Sequence, residues 1–167
     1  MLKEVPDHDE LLGTLDRALR KLNASLVLFS QEAAERLGIN VTDLHCLNLL
    51  ALTGPISAGR LAELTGLTTG AITGVVDRLE RAGFARRDKD AHDRRRVIVR
   101  LVPEQQDRVA SLFEPLRREA MALYASYSDR ELDFLLDVVT RSWRLVQQEI
   151  AKLRAEAEAA APAKKPR

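Results

Sequence analysis

The stretch from Gly54 to Leu101 most constrains the fold of this chain, because three short elements follow one another there without a long loop. Residues 54–66 read GPISAGRLAELTG, a short helical pattern that ends in glycine. Residues 68–83 read TTGAITGVVDRLERAG, a second such pattern, and residues 84–102 read FARRDKDAHDRRRVIVRLV, two strand-like runs around a charged tip. The order helix, turn, helix, hairpin predicts a helix-turn-helix module that reads DNA.

The second helical pattern has one apolar and one polar face. Its apolar residues recur at helical spacing, at Ile72, Val75, Val76 and Leu79. The opposite face includes Gly70 and Gly74, and each glycine in an exposed helix costs about 1 kcal/mol relative to Ala. A backbone that must approach another surface closely, such as a DNA major groove, offsets that cost. The alternative is an ordinary surface helix with two incidental glycines.

Capping residues and charge support the same module. Ser57 is predicted to cap the first helix, and Thr68 or Thr69 the second, which leaves first-turn N–H groups available for phosphate.

In the hairpin, residues 97–101 are predicted to pair with residues 84–87. From residue 86 to residue 100 there are seven basic and three acidic residues, a local charge of +4 in a chain of net charge +1. Such a tip suits phosphates or a narrow minor groove, although a solvated turn with local ion pairs is the alternative.

Together these residues resemble the MarR family of winged helix-turn-helix regulators, over roughly Leu11 to Leu153. The most specific part is DKDAHDRRRVIVRLVPE, residues 88–104. The resemblance implies that Asp93 pairs with Arg87 and shapes the wing, and that Arg95 enters the minor groove. It also implies that Arg94 or Arg96 lies nearest the phosphates.

Long helical patterns flank the module. One runs from Asp9 to Leu37 and is predicted to end at Gly38, and a helix capped by Thr42 follows it. After the wing, a helix is expected from Pro103 to about Ser126, with a kink or break near Phe113 or Glu114 caused by Pro115. Ser128 and Glu131 form a capping box that opens the last helix.

Both terminal patterns carry more apolar residues than one small module covers, so a two-fold dimer of interleaved terminal helices is expected, as the resemblance also implies. The predicted dimerisation residues are Leu15, Leu19, Leu22, Leu136, Val139, Trp143, Val146 and Ile150. The predicted fold class is mainly α with a small β-hairpin wing, a winged helix-turn-helix with long N- and C-terminal dimerisation helices. Its parts are residues 1–40, the DNA-binding module 41–102, the C-terminal helices 103–156 and a disordered tail 157–167, in one interleaved domain.

A dimer of this kind predicts a mechanism. Two recognition helices about one helical turn apart, roughly 34 Å, would read a palindromic operator in double-stranded DNA. The predicted recognition-helix contacts are Thr68, Thr69, Gly70, Ala71, Thr73, Gly74, Asp77 and Arg78. Asp77 either accepts from cytosine or orients Arg78 or Arg81. The expected outcome is repression by promoter occupancy, released by a ligand.

The ligand is expected to be a small aromatic or anionic compound, as the resemblance implies, with His45 and Arg60 near its pocket. His45 has a second interpretation, a hydrogen-bonded structural histidine. A redox-sensing regulator that uses Cys46 is an alternative function, although a buried cysteine among leucines fits this sequence better. No cofactor or metal is predicted, because His8, His45 and His92 are scattered.

Other functional classes fit this sequence less well. The chain has no phosphate-binding glycine loop and no catalytic triad spacing, so it is not expected to be an enzyme. A non-specific architectural DNA-binding protein is the main rival, and a winged-helix dimer that binds only proteins is another. With no apolar run near 20 residues, no signal-peptide core and one cysteine, the chain is expected in the cytoplasm and not in a membrane.

Overall fold

A computed structural model describes residues 7–89 and 97–160. The helices are α1 (His8–Leu37), α2 (Val41–Thr53), α3 (Ala58–Thr65), α4 (Thr69–Arg81), α5 (Pro103–Tyr124) and α6 (Asp129–Ala160). The strands are β1 (Ile56–Ser57), β2 (Ala85–Lys89) and β3 (Val97–Leu101). The predicted fold class, mainly helical with a small β wing, is confirmed. Across the described ranges, none of the helices is both long and apolar enough to cross a membrane.

The chain divides into two compact units, Met1–Glu114 and Pro115–Arg167. The first unit has one core, to which the end of α1, α2, α3, α4 and the sheet contribute. All four apolar residues predicted to face inward from α4 are buried, at 2% exposure or less. The apolar face of α4 therefore fixes its orientation, and its polar face is turned outward.

The C-terminal ends of α1 and α3 follow the sequence, whereas the start of α2 does not. Gly38 and Gly66 adopt left-handed backbone angles, with φ of 71° and 64°, and end α1 and α3 as predicted. The prediction that Thr42 caps α2 is wrong. Asn40 is the N-cap, and its side-chain oxygen accepts from the N–H of Asp43 at 2.8 Å. Thr42 lies inside the first turn, where its side chain is not placed to cap.

The sheet contains the predicted hairpin and one strand that was not predicted. β2 and β3 are antiparallel with Arg87 opposite Val99, and β2 extends two residues beyond the predicted 84–87. β1 pairs antiparallel with the other edge of β3, which places Ile56 opposite Val99 as well. A strand of two residues is too short to show the alternating pattern on which a sequence-based prediction depends.

Beyond the sheet, α5 begins at Pro103 as predicted and continues through Pro115 to Tyr124. The helix is therefore not broken near Phe113 or Glu114, whereas the kink that was the other expectation stays a prediction. The boundary between the two compact units falls directly before Pro115. In the second unit, the capping box is confirmed. The Ser128 N–H donates to Glu131 Oε2 at 2.8 Å, and the Glu131 N–H donates to Ser128 Oγ at 3.4 Å. α6 ends at Ala160, four residues past the predicted boundary at 156.

The predicted dimerisation residues lie on two largely uncovered apolar stripes. On α1, Leu15, Leu19 and Leu22 are each more than half exposed. On α6, the exposed members are Leu136, Val139, Trp143 and Val146, whereas Ile150 is half-buried. A single chain therefore leaves large apolar side chains of both stripes in water, which is unfavourable for a monomer.

Candidate nucleic-acid interface

The outward face of α4 presents the residues predicted to read DNA. Thr68 is the N-cap, and its hydroxyl oxygen accepts from the N–H of Ala71 at 3.2 Å. The hydroxyl of Thr73 donates to the carbonyl of Thr69 at 2.9 Å, which fixes the threonine rotamer. Of the eight predicted residues, Gly74 is half-buried and the others are exposed: Thr68, Thr69, Gly70, Ala71, Thr73, Asp77 and Arg78. Their contacts with DNA stay a prediction.

Gly70 and Gly74 are not required by packing within the chain. A Cβ added to Gly70 would meet nothing within 4 Å, and one added to Gly74 would meet only the Arg78 Nη1 atom at 3.6 Å, an ordinary contact. Neither glycine has a positive φ. Since alanine at either position would strengthen an isolated helix, the glycines make physical sense if an external surface approaches the α4 backbone.

We expect Gly70→Ala to separate stability from DNA binding. The free energy of unfolding should rise by about 0.5–1 kcal/mol, while DNA affinity should fall about 5- to 10-fold because the added methyl group meets the groove wall. Thermal unfolding and fluorescence anisotropy with labelled duplex measure the two quantities. Gly13→Ala, a helical glycine on α1, is the matched control and should leave DNA affinity unchanged. Equal DNA affinity in both variants would show that α4 does not approach DNA at Gly70.

Arg87 joins the wing to the recognition helix. Its Nη2 lies 2.7 Å from Asp77 Oδ1 and donates to the carbonyl of Thr73 at 3.2 Å. Its Nη1 binds Glu80 Oε2, and its backbone N–H donates to Glu80 Oε1 at 2.7 Å. One β2 side chain thus holds two carboxylates and one carbonyl of α4, so the wing and α4 are connected by charge-assisted hydrogen bonds.

The family resemblance implied another partner for Arg87, Asp93, which lies outside the described ranges, so that pairing stays a prediction. Within the described part of the chain, the guanidinium of Arg87 binds Asp77, Glu80 and Thr73, because β2 runs beside α4 and Arg87 reaches the carboxylates there. Asp77 was expected to accept from cytosine or to orient Arg78 or Arg81. Its carboxylate binds Arg87 in the structure, and contact with cytosine stays a prediction. Four predicted wing residues lie outside the described ranges: Asp93, Arg94, Arg95 and Arg96.

The described part of the wing keeps two arginines side by side. Arg86 and Arg100 are directly opposite each other in the β2–β3 register, where like charges repel. Asp88 lies two residues from Arg86 on the same face, and its Oδ2 atom is 3.6 Å from Arg86 Nε and 2.5 Å from Arg100 Nε. The aspartate offsets the repulsion, so the strands stay paired while the face remains basic.

Arg78 is also held by a carboxylate that sequence reasoning missed. Its Nε and Nη2 atoms donate to Asp43 Oδ2 and Oδ1 at 2.9 and 2.6 Å. These hydrogen bonds raise the pKa of Arg78 above its ordinary value. Asp43 is 1% exposed and lies 35 positions before Arg78. No local sequence pattern connects positions so far apart. The sequence feature that could have drawn attention to Asp43 is its position as a charged residue within the apolar pattern of α2.

Cys46 is fully buried in the core of the first unit. Desolvation by burial, with the nearby charge of Asp43, raises the pKa of its thiol to about 11. A redox-sensing cysteine needs exposure and thiolate character, and Cys46 has neither. The structure therefore favours the small buried hydrophobe over the redox sensor.

The pKa of Cys46 predicts slow alkylation. At pH 8 the folded protein should react with iodoacetamide about 100-fold more slowly than the urea-unfolded chain, because thiolate is about 100 times rarer and the sulfur is covered. The protonated thiol stabilises the fold fully below about pH 9, and this contribution is lost as pH rises from there towards 11. Mass spectrometry of timed samples measures the rate. Equally fast labelling of folded and unfolded protein would restore the redox interpretation.

Of the two residues predicted near an effector, Arg60 lines the cavity that β1, β3 and α3 form, and His45 does not. Arg60 borders an open cavity of about 550 Å³, and its Nη1 lies 2.7 Å from Glu63 Oε2. The other lining residues are Pro55, Ile56, Ser57, Gly59, Glu63 and Ile98. His45 is exposed on α2 and is not among them, since the buried side of that helix is occupied by Leu44 and Cys46. The exposure of His45 also argues against the interpretation as a hydrogen-bonded structural histidine in the core.

Comparisons with known proteins agree with this geometry. The model of the MarR family matches residues 39–97. The chain is 39% identical over 145 residues to YcgE of Bacillus subtilis, described as an uncharacterized HTH-type transcriptional regulator, covering 87% of this chain and 94% of the relative. It is 25% identical to YetL of the same organism, an HTH-type transcriptional repressor, over 82% and 87% of the two chains. A MepR mutant from S. aureus, solved bound to an oligodeoxyribonucleotide, shares the fold with a TM-score of 0.55 and 18% identity, over 79% of this chain and 97% of its own.

The matched residues 39–97 span α2, α3, α4, β2 and the start of β3, which are the elements that carry the proposed interface. The similarity to YcgE extends this match over most of the chain. Members of this family are transcription regulators and not enzymes. The chain is therefore a DNA-binding transcriptional regulator that belongs to the MarR family of winged helix-turn-helix proteins.

Proposed function

We propose that the protein is a homodimeric repressor that binds a palindromic operator and is released from it by a small ligand. The observation that carries the proposal is the outward face of α4, where exposed threonines, Arg78 and two glycines without an internal packing role lie together. A non-specific DNA binder has no need for such a face, because phosphate contacts alone supply its affinity.

The exposed stripes of α1 and α6 support the proposed dimer. Both carry large apolar side chains more than half exposed in one chain, and a second copy offers the same surfaces in self-complementary form. Two copies of α4 about one helical turn of DNA apart, roughly 34 Å, would read two half-sites of a palindrome. Repression is the proposed outcome because YetL, similar over most of its length, is described as a repressor.

The ligand is proposed to be small and aromatic or anionic. The cavity beside Arg60 supports this, because it joins a guanidinium to the apolar side chains of Ile56 and Ile98. It is also formed by β1, β3 and α3, elements that pack directly with α4 or the wing. A ligand there would act on the position of the DNA-reading elements.

The preference between two duplexes at a fixed salt concentration and the variant Arg95→Ala test the proposed interface together. Wild-type protein should prefer its selected duplex over a scrambled duplex by about 10³-fold at 150 mM salt. Arg95→Ala should weaken operator binding about tenfold, because the family resemblance places this arginine in the minor groove, while sedimentation still reports a dimer. Arg154→Ala, at the far end of α6, is the control. Equal affinity for both duplexes would replace the repressor by an architectural protein, and unchanged binding by Arg95→Ala would remove that residue from the interface.

A further inference from the structure

Asp43 is a buried charged residue that is not among the proposed DNA contacts. It is 1% exposed, and its carboxylate meets three donors: Asn40 Nδ2 at 3.0 Å, and the Nε and Nη2 atoms of Arg78. Burying a carboxylate is unfavourable, and an apolar side chain in the same place often stabilises a fold as well or better. The placement of Asp43 therefore points to a role in orienting Arg78.

The geometry of the guanidinium shows what Asp43 leaves available. An arginine has five N–H donors in a planar fork. Asp43 accepts from the side edge, formed by Nε and one hydrogen of Nη2, so the end edge of Nη1 and the second Nη2 hydrogen remains. In residues 7–89 and 97–160, Nη1 has no hydrogen-bond acceptor.

The end edge lies on the outward face of α4. The Nη1 atom is 3.6 Å from the position that a Cβ of Gly74 would take, so the guanidinium extends back along the helix over that glycine. The side chain of Arg78 is 42% exposed, whereas that of Asp43 is 2% exposed. The pair thus has a buried anchor and an accessible end on the face predicted to meet DNA.

We propose that Asp43 is a positioning residue, which holds Arg78 so that the end edge of its guanidinium donates to two neighbouring acceptors on DNA. The inference rests on the proposed function. Acceptors with the required spacing are O6 and N7 of a guanine in the major groove, or two oxygens of one phosphate. An arginine already held by Asp43 loses less rotamer freedom on binding than a free one, which favours both affinity and discrimination.

Selection from a random duplex library tests the role of Asp43. Wild-type protein, Asp43→Asn and Arg78→Lys would each select from a 30-base-pair randomised duplex at about 150 mM salt, followed by binding constants over a salt series. Lysine at position 78 keeps the ion pair with Asp43 but has no planar end edge. Arg81→Lys is the control, because the Arg81 Nε donates to the carbonyl of Asp77 in its own helix.

Two results support the inference, and they identify the acceptor. If guanine accepts, Arg78→Lys loses preference at one position of each half-site by about 10- to 100-fold, and Asp43→Asn loses it at the same position. If phosphate accepts, both variants lose affinity by a similar factor for all sequences, while the salt slope stays close to that of the wild type because each variant keeps a cation at position 78. Arg81→Lys changes neither quantity.

Unchanged base preference and unchanged affinity in folded Asp43→Asn would overturn the inference and leave Asp43 as a purely structural residue, even where Arg78→Lys loses them. Circular dichroism establishes that each variant is folded. If Asp43→Asn does not fold, unchanged base preference and affinity in Arg78→Lys still overturn the inference, because lysine lacks the planar end edge that Asp43 is proposed to hold in place. A wild-type protein that selects no motif would overturn the proposed function instead, so the two failures are distinguishable.

Discussion

Trp143→Asp should convert the protein to a monomer and weaken its binding to a two-half-site duplex by about 100-fold or more. Trp143 is 60% exposed on the apolar stripe of α6, and a carboxylate in a buried dimer interface would have no partner. In a dimer, binding of one subunit raises the effective concentration of the second subunit at the other half-site. This increases the affinity by a factor of about 10²–10⁴, which a monomer loses. Binding to a duplex with one half-site should not change, because α4 and the wing are intact.

Gln148→Asp is the matched control for this variant. It introduces the same charge at an exposed polar position on the side of α6 that faces away from the apolar stripe. Leu19→Asp applies the same test to the stripe of α1. Analytical ultracentrifugation measures the oligomeric state, and an unaltered dimer in both Trp143→Asp and Leu19→Asp would place the interface elsewhere on the molecule.

Arg87→Ala should lower DNA affinity about 30- to 150-fold and reduce the free energy of unfolding by about 1–3 kcal/mol. The substitution leaves the carboxylates of Asp77 and Glu80 without the guanidinium that now binds both. An unpaired carboxylate on the face that approaches phosphates repels them, which costs several kcal/mol. The wing also loses its charged contact with α4.

Arg86→Ala is the control for the effect of charge alone. It removes one positive charge at the position directly before Arg87 in β2. Arg86 is more than half exposed and contacts Asp88 on the other face of the strand. We expect a loss of no more than about threefold. If the two variants weaken DNA binding equally, Arg87 contributes only its charge and not the connection between the wing and α4.

Local patterns were sufficient for most of the module. The spacing of Ile72, Val75, Val76 and Leu79 predicted the buried face of α4, and the glycine and threonine signals placed its neighbouring turns correctly. These features depend on residues within about two helical turns of one another, so the amino-acid sequence expresses them directly. Thr42 was the exception, because Asn40 two positions earlier is the stronger capping residue.

The partners of charged side chains were not predictable in the same way. Arg87 and Arg78 bind Asp77, Glu80 and Asp43, and only the tertiary arrangement brings β2 and α2 to α4. A charge count identified the basic wing but did not show which arginines are held inside the first unit. The effector prediction groups His45 with Arg60, but only Arg60 lines the cavity beside α3, because the buried side of α2 is occupied by Leu44 and Cys46 and His45 is exposed.

The most direct test of a sequence-specific regulator is to sequence the genomic DNA fragments that purified protein captures at about 150 mM salt, which suppresses purely electrostatic binding. We predict one enriched palindromic motif with half-sites about one helical turn apart, and we predict that Arg95→Ala captures it weakly. Enrichment without any motif would contradict sequence-specific regulation, because the outward face of α4 would then not recognise specific bases.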